Sequence, residues 1–259
     1  MCIRDSYAST AGLPSLFSLQ RAALEVPLMF DPGNRWEYGI GIDWAGLMVE
    51  AVSGLTLGAY FAEHLTGPLG MHDTAFRPTA DMSERMSVIY QRMPDGSLLL
   101  PQAAEPEVQP PEPEFEMGGG GLLSTARDYA RFMRMMLNGG ELDGARVLAA
   151  ATVEQMAANQ MGDLRVTELK TADPMLTNDA EFFPSSPKSW GLSFQINEQA
   201  EATGRAAGTL MWAGLSNCYF WIDRSNDVAG LMLTQLFPFA DHQSLELLHA
   251  LEQAVYESL

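Results

Sequence analysis

The segment MWAGLSNCYFWIDRSNDVAGLMLTQLF, residues 211–237, carries the clearest fold signal in the chain. It divides into three short apolar runs, 211–215, 217–223 and 228–237, and the polar segment 224–227 separates the last two. Short runs rich in aromatic and β-branched residues, bounded by turn-forming residues, are typical of strands. We therefore predict three consecutive antiparallel strands that are joined by tight turns.

Two segments that flank these runs extend the prediction. Upstream, Trp190, Leu192, Phe194 and Ile196 stand at every second position, which is the period of a half-buried strand. Downstream, residues 241–258 carry apolar side chains at helical intervals. The second half of the chain is thus predicted to be an antiparallel sheet closed by a helix.

The first half of the chain has helical periodicity instead. Shorter helices are predicted over 57–65 and 150–159, and another begins at a capping box that starts with Thr125. A longer helix is predicted between Asp43, as its N-cap, and Gly54, as its end, from apolar residues at helical spacing: Trp44, Leu47, Met48, Ala51 and Val52. Helices followed by a sheet and a closing helix make an α+β protein, because strands and helices do not alternate.

The charge balance excludes several classes of partner. The chain has 33 acidic and 15 basic residues, a net charge of −18. Binding to nucleic acid and docking on anionic lipid both need clustered cations, so we expect neither partner. No apolar run approaches the roughly 20 residues of a membrane span. The two cysteines do not suit a disulfide framework, the four histidines lack metal-binding spacing, and we expect no metal and no cofactor.

The chain organisation is predicted in four parts. The first six residues, MCIRDS, resemble a translated sequencing-library end, so we expect 1–6 to be non-native and the natural protein to continue upstream. Residues 7–185 are expected to be the mainly helical part, and 186–259 the strands and closing helix of the same domain. Within the helical part, residues 101–114 hold five prolines, which predicts a surface loop or a lid. A cytoplasmic location is favoured over a periplasmic one.

Four motifs, taken in order along the chain, carry a family resemblance. Residues 30–38 read FDPGNRWEY, 67–76 read GPLGMHDTAF, 118–129 read GGGGLLSTARDY and 212–223 read WAGLSNCYFWID. Together they resemble the serine β-lactamase-related hydrolases, a group that contains class C β-lactamases, DD-peptidases and family VIII carboxylesterases. The resemblance implies an α+β fold with an antiparallel sheet flanked by helices and a mainly helical subdomain, here without its N-terminal strands and nucleophile helix.

The resemblance also implies acyl transfer through a serine ester. The family uses Ser-x-x-Lys on a helix, Tyr-x-Asn on a loop and a triad on a strand, because serine needs neighbouring groups to take its proton and return it. By the resemblance, Tyr38 is the tyrosine of this site. Trp212, Ala213 and Gly214 stand at the strand triad, and the backbone N–H of Leu215 would stabilise the oxyanion together with that of the serine.

Two departures from the family pattern bear on the substrate. Ile40 stands where the family has asparagine, and Trp212 begins the strand triad in place of a cation. In a β-lactamase those polar groups hold the amide and carboxylate of the substrate, so their absence favours a small neutral ester. Ile40 and Asn217 are predicted to line the substrate pocket.

The nucleophile motif of the family, Ser-x-x-Lys on a helix upstream of the tyrosine, is not found in this chain. The only Ser-x-x-Lys in the chain is residues 185–188, in a proline-containing loop on the wrong side of Tyr38, and we interpret it as a chance match. The expected function is therefore a piece of a carboxylesterase or acyltransferase whose nucleophilic serine and lysine are not in this chain, and which is inactive alone. The alternatives are a β-lactamase or DD-peptidase, and a non-catalytic binding protein of the same fold.

The resemblance leads to one further expectation, about the edge of the sheet. In the family the N-terminal strands pair beside the last strand. Residues 228–237 would then have an unpaired apolar edge, which is an aggregation hazard. Low solubility is therefore expected.

Overall fold

A computed structural model describes residues 10–100 and 113–259. The expected non-native segment 1–6 and nearly all of the proline-rich segment 101–114 lie outside these residues. Two 3₁₀ turns, Leu16–Ser18 and Arg21–Leu24, come first. The helices that follow are α1 (Gly41–Ser53), α2 (Leu57–Phe61, extended by a π turn over Ala62–Thr66), α3 (Ala80–Arg85), α4 (Ala126–Leu137), α5 (Ala150–Met156) and α6 (His242–Glu257).

The main sheet is antiparallel and has five strands within the described residues. Its order is the order of the chain: β5 (Lys188–Trp190), β6 (Gln195–Asn197), β7 (Leu210–Gly214), β8 (Cys218–Asp223) and β9 (Val228–Met232). Short pieces complete the strands: β1 (Tyr90–Arg92), β2 (Leu98–Leu99), β3 (Glu141–Leu142), β4 (Ala145–Arg146) and β10 (Leu236–Phe237). The predicted α+β fold, with helices before the sheet and a closing helix after it, is confirmed.

The main sheet is covered on both faces, which places the core. On one face the α4 methionines pack with Leu210 and Ile222. On the other, Leu248 of α6 packs with Tyr219 and Trp221. Side chains on one strand alternate between the two faces, so β7 and β8 contribute to both clusters. Each large side chain buried here contributes about 1.5–3 kcal/mol relative to exposure.

The strand predicted from Trp190 to Ile196 is wrong in its course, because two strands and a reversal occupy this segment. Trp190 on β5 pairs with Gln195 on β6. Between them Ser193 has a φ of 73°, and a Cβ at Gly191 would lie 2.1 Å from the carbonyl oxygen of Met156. Apolar residues at every second position do not reveal such a turn, because the spacing is the same in one strand or in two.

The strand predicted over 228–237 is also divided. β9 ends at Met232, and β10 pairs in parallel with β1 instead, Leu236 opposite Tyr90. The break has a physical cause: the Thr234 hydroxyl donates to the carbonyl oxygens of Ser216 and Asn217, at 2.8 and 2.9 Å, which turns the chain away from the sheet. β9 is the last strand of the sheet within the described ranges. The open edge expected there is therefore limited to its five residues.

Helix α1 is present, but its N-cap residue and its buried side differ from the prediction. It ends at Gly54, whose φ is 72°, as predicted. The N-cap position is Ile40, which makes no side-chain cap bond, whereas Asp43 lies inside the helix, buried, and accepts a hydrogen bond from Gly119 N at 3.0 Å. The prediction of Asp43 as N-cap is therefore wrong, because this carboxylate faces the protein interior. The apolar stripe faces outward instead.

Helix α4 begins at the predicted capping box. The Thr125 hydroxyl oxygen accepts a hydrogen bond from Asp128 N at 3.2 Å. The Asp128 carboxylate does not cap the helix in return but accepts from Asp73 N and from the Thr74 hydroxyl, at 2.8 and 2.9 Å. This buried acid thereby joins α4 to the segment 67–76.

Within 10–100 and 113–259, no single helix is long and apolar enough to cross a membrane. Gly41–Ser53 and Leu57–Thr66 together meet the criterion by length and composition only, as a pair bent by 76°.

Candidate active site

Tyr38 and Trp212 meet although 174 residues separate them along the chain. Tyr38 lies in the loop before α1, and Trp212 lies on β7, where it pairs opposite Phe220. The Trp212 indole Nε1–H donates a hydrogen bond to the Tyr38 hydroxyl oxygen at 3.4 Å, and the two ring centroids are 5.1 Å apart. The two residues that the motifs assign to one site are thus brought into contact by the fold.

Two more tryptophans extend this contact into an aromatic wall, which we define as Trp36, Tyr38, Trp190 and Trp212. Trp190 meets Trp212 edge-on, with ring centroids 4.5 Å apart, and lies 6.4 Å from Tyr38. Trp36 packs on Trp190 at 5.4 Å. Pairs in this geometry contribute about 0.5–1.5 kcal/mol beyond their buried area. The wall therefore holds the Tyr38 ring in a defined place.

A shallow recess in the protein surface lies beside the wall. Most of its lining is apolar or aromatic: Trp36, Val166, Leu169, Ala180, Phe182 and Trp212. Its polar part includes the ion pair of Lys188 with Glu181, whose charges offset each other. This lining offers a substrate mainly apolar contacts, and a carboxylate placed against it without its own partner would lose its hydration.

The comparison with known proteins decides the family. A sequence model of the family described as Beta-lactamase matches residues 4–254. The chain belongs to the β-lactamase family. The β-lactamase-like fold that the motifs predict is therefore confirmed.

Three proteins of the comparison are similar to this chain over most of its length. Protein Rv1367c of Mycobacterium tuberculosis is 31% identical over 222 residues, which cover 84% of this chain and 53% of that protein. Lovastatin esterase of Penicillium rubens is 29% identical over 215 residues, covering 79% of this chain and 51% of the esterase. The solved structure of simvastatin synthase (LovD) from Aspergillus terreus is 25% identical with a TM-score of 0.76, and covers 98% of this chain and 61% of the synthase. This chain thus spans about half the length of the curated relatives it matches.

The Ser-x-x-Lys match at 185–188 does not have the arrangement that the family's chemistry requires. Lys188 is buried, and its ammonium donates to Glu181 Oε1, Phe183 O and Ser186 O at 3.1, 2.9 and 3.1 Å. These three bonds use all three donors of the ammonium. Ser185 is exposed, and the lysine is bound elsewhere. The structure supports the interpretation of this motif as a chance match in a member of the β-lactamase family.

The strand triad, Trp212 to Gly214, forms the C-terminal end of β7. Ala213 is half-buried and Gly214, the last residue of the strand, is exposed. The side chain of Leu215 packs against the cluster under α6. Its backbone N–H therefore follows directly after the strand end, and its part in an oxyanion hole stays a prediction.

The prediction that Asn217 lines the pocket is wrong. Asn217 is fully buried, and its amide donates to the carbonyl oxygens of Leu236 and Pro238, each at 2.8 Å. Its side-chain oxygen accepts from Tyr219 OH at 2.7 Å and from Asp241 N at 3.0 Å. With these bonds the side chain ties the β7–β8 turn to the start of α6. Asn217 lies in the three-residue turn between β7 and β8 with a φ of 58°, a conformation that asparagine tolerates well.

Ile40 lies apart from the recess, and two tryptophans of the aromatic wall were not predicted as site residues. Ile40 packs against a small cluster that contains Leu24 and Met117, and it does not line the recess described above. Sequence reasoning missed Trp36 and Trp190 as site residues. The available signal was that four of the chain's five tryptophans lie in the motif segments or the predicted strands.

Between residues 10 and 100 and between 113 and 259, no group of three or more histidine, cysteine, aspartate or glutamate side chains is placed to hold a metal ion.

Proposed function

We propose that this chain supplies part of the active site of a serine hydrolase or acyltransferase that acts on neutral carboxylic esters. The observation that carries the proposal is the hydrogen bond from Trp212 Nε1 to the Tyr38 hydroxyl oxygen, set in an aromatic wall beside an apolar recess. The names of lovastatin esterase and simvastatin synthase, two proteins similar to this chain, agree with ester chemistry.

The proposed reaction has two steps. A serine Oγ attacks the ester carbonyl carbon, its proton passes by way of Tyr38 to the leaving alcohol, and an acyl-enzyme forms. Water or a second alcohol then attacks the acyl carbon. Its proton passes by way of the same tyrosine to the serine oxygen, which leaves the acyl group as the free serine hydroxyl. In both steps the Leu215 N–H would donate to the developing oxyanion, a contribution of about 2.7–4 kcal/mol per donor.

The preference for esters over lactams rests on the lining of the recess. Trp212 stands where a cation would bind a substrate carboxylate, and the indole adds a neutral donor instead. The Lys188 ammonium is already bound to Glu181 and two carbonyl oxygens. A carboxylate-bearing lactam would therefore lose water without gaining an ionic partner, whereas a neutral ester would not.

This chain by itself is proposed not to form an acyl-enzyme. Its single Ser-x-x-Lys, at 185–188, has its lysine committed to internal hydrogen bonds. A serine whose base is held elsewhere stays a weak nucleophile.

The test supplies a nucleophile segment to this chain. The part of lovastatin esterase that this chain does not match is fused or co-expressed with it, and hydrolysis of p-nitrophenyl butyrate is compared with turnover of nitrocefin. We expect ester hydrolysis only in the assembled protein, and a loss of about 100-fold or more in kcat for Tyr38→Phe. Tyr90→Phe, in an exposed strand outside the wall, is the matched control. Ester turnover by the chain alone, or faster turnover of nitrocefin, would contradict the proposal.

A further inference from the structure

We infer that Trp212 is a positioning residue for Tyr38, whose indole N–H holds the tyrosine oxygen and binds it more strongly when the proton leaves. The inference rests on the proposed function, in which Tyr38 passes a proton between serine and leaving group. It adds a specific task for the tryptophan that stands in place of the family's strand cation.

The geometry of the contact favours the ionised tyrosine. The distance from Trp212 Nε1 to the Tyr38 oxygen is 3.4 Å, which is long for a bond between neutral groups. An indole N–H can only donate, so its partner must be the oxygen lone pair. Hydrogen bonds to a charged acceptor are shorter and about twice as strong. The contact therefore stabilises the charged phenolate more than the neutral phenol.

The donor is held rigidly in place. Trp212 lies on a central strand of the sheet, because β7 pairs with β6 on one side and β8 on the other. Its ring meets Trp190 at 81° and Phe182 at 82°, with centroids 4.5 and 6.0 Å away. A donor fixed by packing costs little reorganisation when charge develops on its partner.

A neutral donor also separates two tasks that a lysine would combine. A lysine at this position would stabilise phenolate, but its full charge would also attract a substrate carboxylate. Two charged pairs lie in the same loop and in the recess: Arg35 with Glu37 at 3.5 Å, and Lys188 with Glu181 at 3.1 Å. The indole N–H can thus favour the ionised tyrosine while the recess stays suited to uncharged substrates.

The test is NMR of this chain at one neutral pH, with ¹⁵N-labelled tryptophan. The Trp212 indole signal is assigned by its loss in Trp212→Phe. We expect this signal to lie upfield of its ordinary position in Tyr38→Phe, because no oxygen then accepts the indole hydrogen. Hydrogen exchange of the same N–H should be about tenfold faster in Tyr38→Phe, the size expected for one lost hydrogen bond. Tyr90→Phe should change neither quantity.

The outcomes separate the inference from the proposed function. A Trp212 signal that keeps its position in Tyr38→Phe, or exchange that does not change, overturns the positioning role. In the assembled enzyme described above, Trp212→Phe is expected to lower kcat about tenfold with KM unchanged, since the bond is stronger when charge develops on the tyrosine oxygen. If the NMR results hold while Tyr38→Phe keeps full ester turnover, the contact is real and the proposed function of Tyr38 fails.

Discussion

Helices α1 and α4 have nearly the same length and the same kind of apolar spacing, yet their surroundings are opposite. In α4, Met135 and Met136 are fully buried against the sheet. In α1, the side chains of Trp44, Met48 and Val52 are 48%, 67% and 89% exposed. Apolar spacing therefore predicts an apolar face on a helix, but it does not predict whether other described residues cover that face. An exposed stripe of this kind marks an interaction surface or an aggregation hazard.

The inward side of α1 packs in a different way from that of α4. A Cβ on the buried Gly46 would lie 3.1 Å from Leu57 Cδ2, so this glycine lets α1 and α2 approach closely. The Glu50 carboxylate accepts a hydrogen bond from Leu57 N at 3.0 Å, as Asp43 does from Gly119 N. Helix α1 is therefore held by close backbone approach and polar contacts, whereas α4 is held by the volume of its methionines.

The largest expected difference between the two helices is the cost of truncating one methionine. Met136→Ala should lower the free energy of unfolding by about 2–5 kcal/mol, because it removes buried contacts and leaves a cavity. The matched change in α1, Met48→Ala, should stay within about 0.5 kcal/mol, since that side chain is mostly exposed. Urea unfolding measures both. Equal losses would mean that the α1 stripe is covered in solution.

A second contrast concerns how the helices begin. α1 begins at Ile40 without a side-chain cap, whereas α6 begins at Asp241, which accepts a hydrogen bond from Ser244 N at 3.0 Å. Burial raises the pKa of Asp241, but hydrogen bonds from Arg92 and Ser244 outweigh it, so the pKa lies below its ordinary value. The ionised cap therefore stabilises the fold above about pH 4, and this stabilisation is lost as the pH falls through the folded-state pKa.

Asp241→Asn tests this contrast. The variant should lose about 1–3 kcal/mol at pH 7, because the Arg92 guanidinium loses its ionic partner. Its stability should also fall less steeply than that of the unaltered chain between pH 5 and 2. Unfolding curves across that range measure both effects. An unchanged acid slope would show that other carboxylates, such as that of Asp223, whose pKa is also lowered, govern acid unfolding.

The smallest change in stability is expected on the α1 stripe itself. Val52→Lys adds a charge at a site that is 89% exposed, so unfolding free energy should change by no more than about 0.5 kcal/mol. Solubility should nevertheless rise, because the charge interrupts the apolar surface. The saturating concentration of the two proteins measures this. If solubility does not change, the open edge of β9 is the better explanation for any aggregation, and a charged substitution on β9 becomes the next variant.

Much of the fold could be predicted from short-range signals. The end of α1 at Gly54 and the cap of α4 at Thr125 both depend on bonds within a few residues. The family motifs likewise identified Tyr38 and Trp212 as members of one site. The predictions that failed concern Asp43, Asn217 and the course of 190–196. In each case a partner distant in sequence, or a turn without a spacing signal, changed the outcome.

Local sequence was therefore enough for the class of fold, the family and most helix ends, because periodicity and capping act over one or two turns. The folded chain was needed for the contacts that make the site. Trp212 reaches Tyr38 across 174 residues, Asn217 turns inward, and Lys188 is used by Glu181 and two carbonyl oxygens. Such contacts depend on the path of the whole chain, since one side chain can satisfy its hydrogen bonds with any suitable partner that the fold brings within reach.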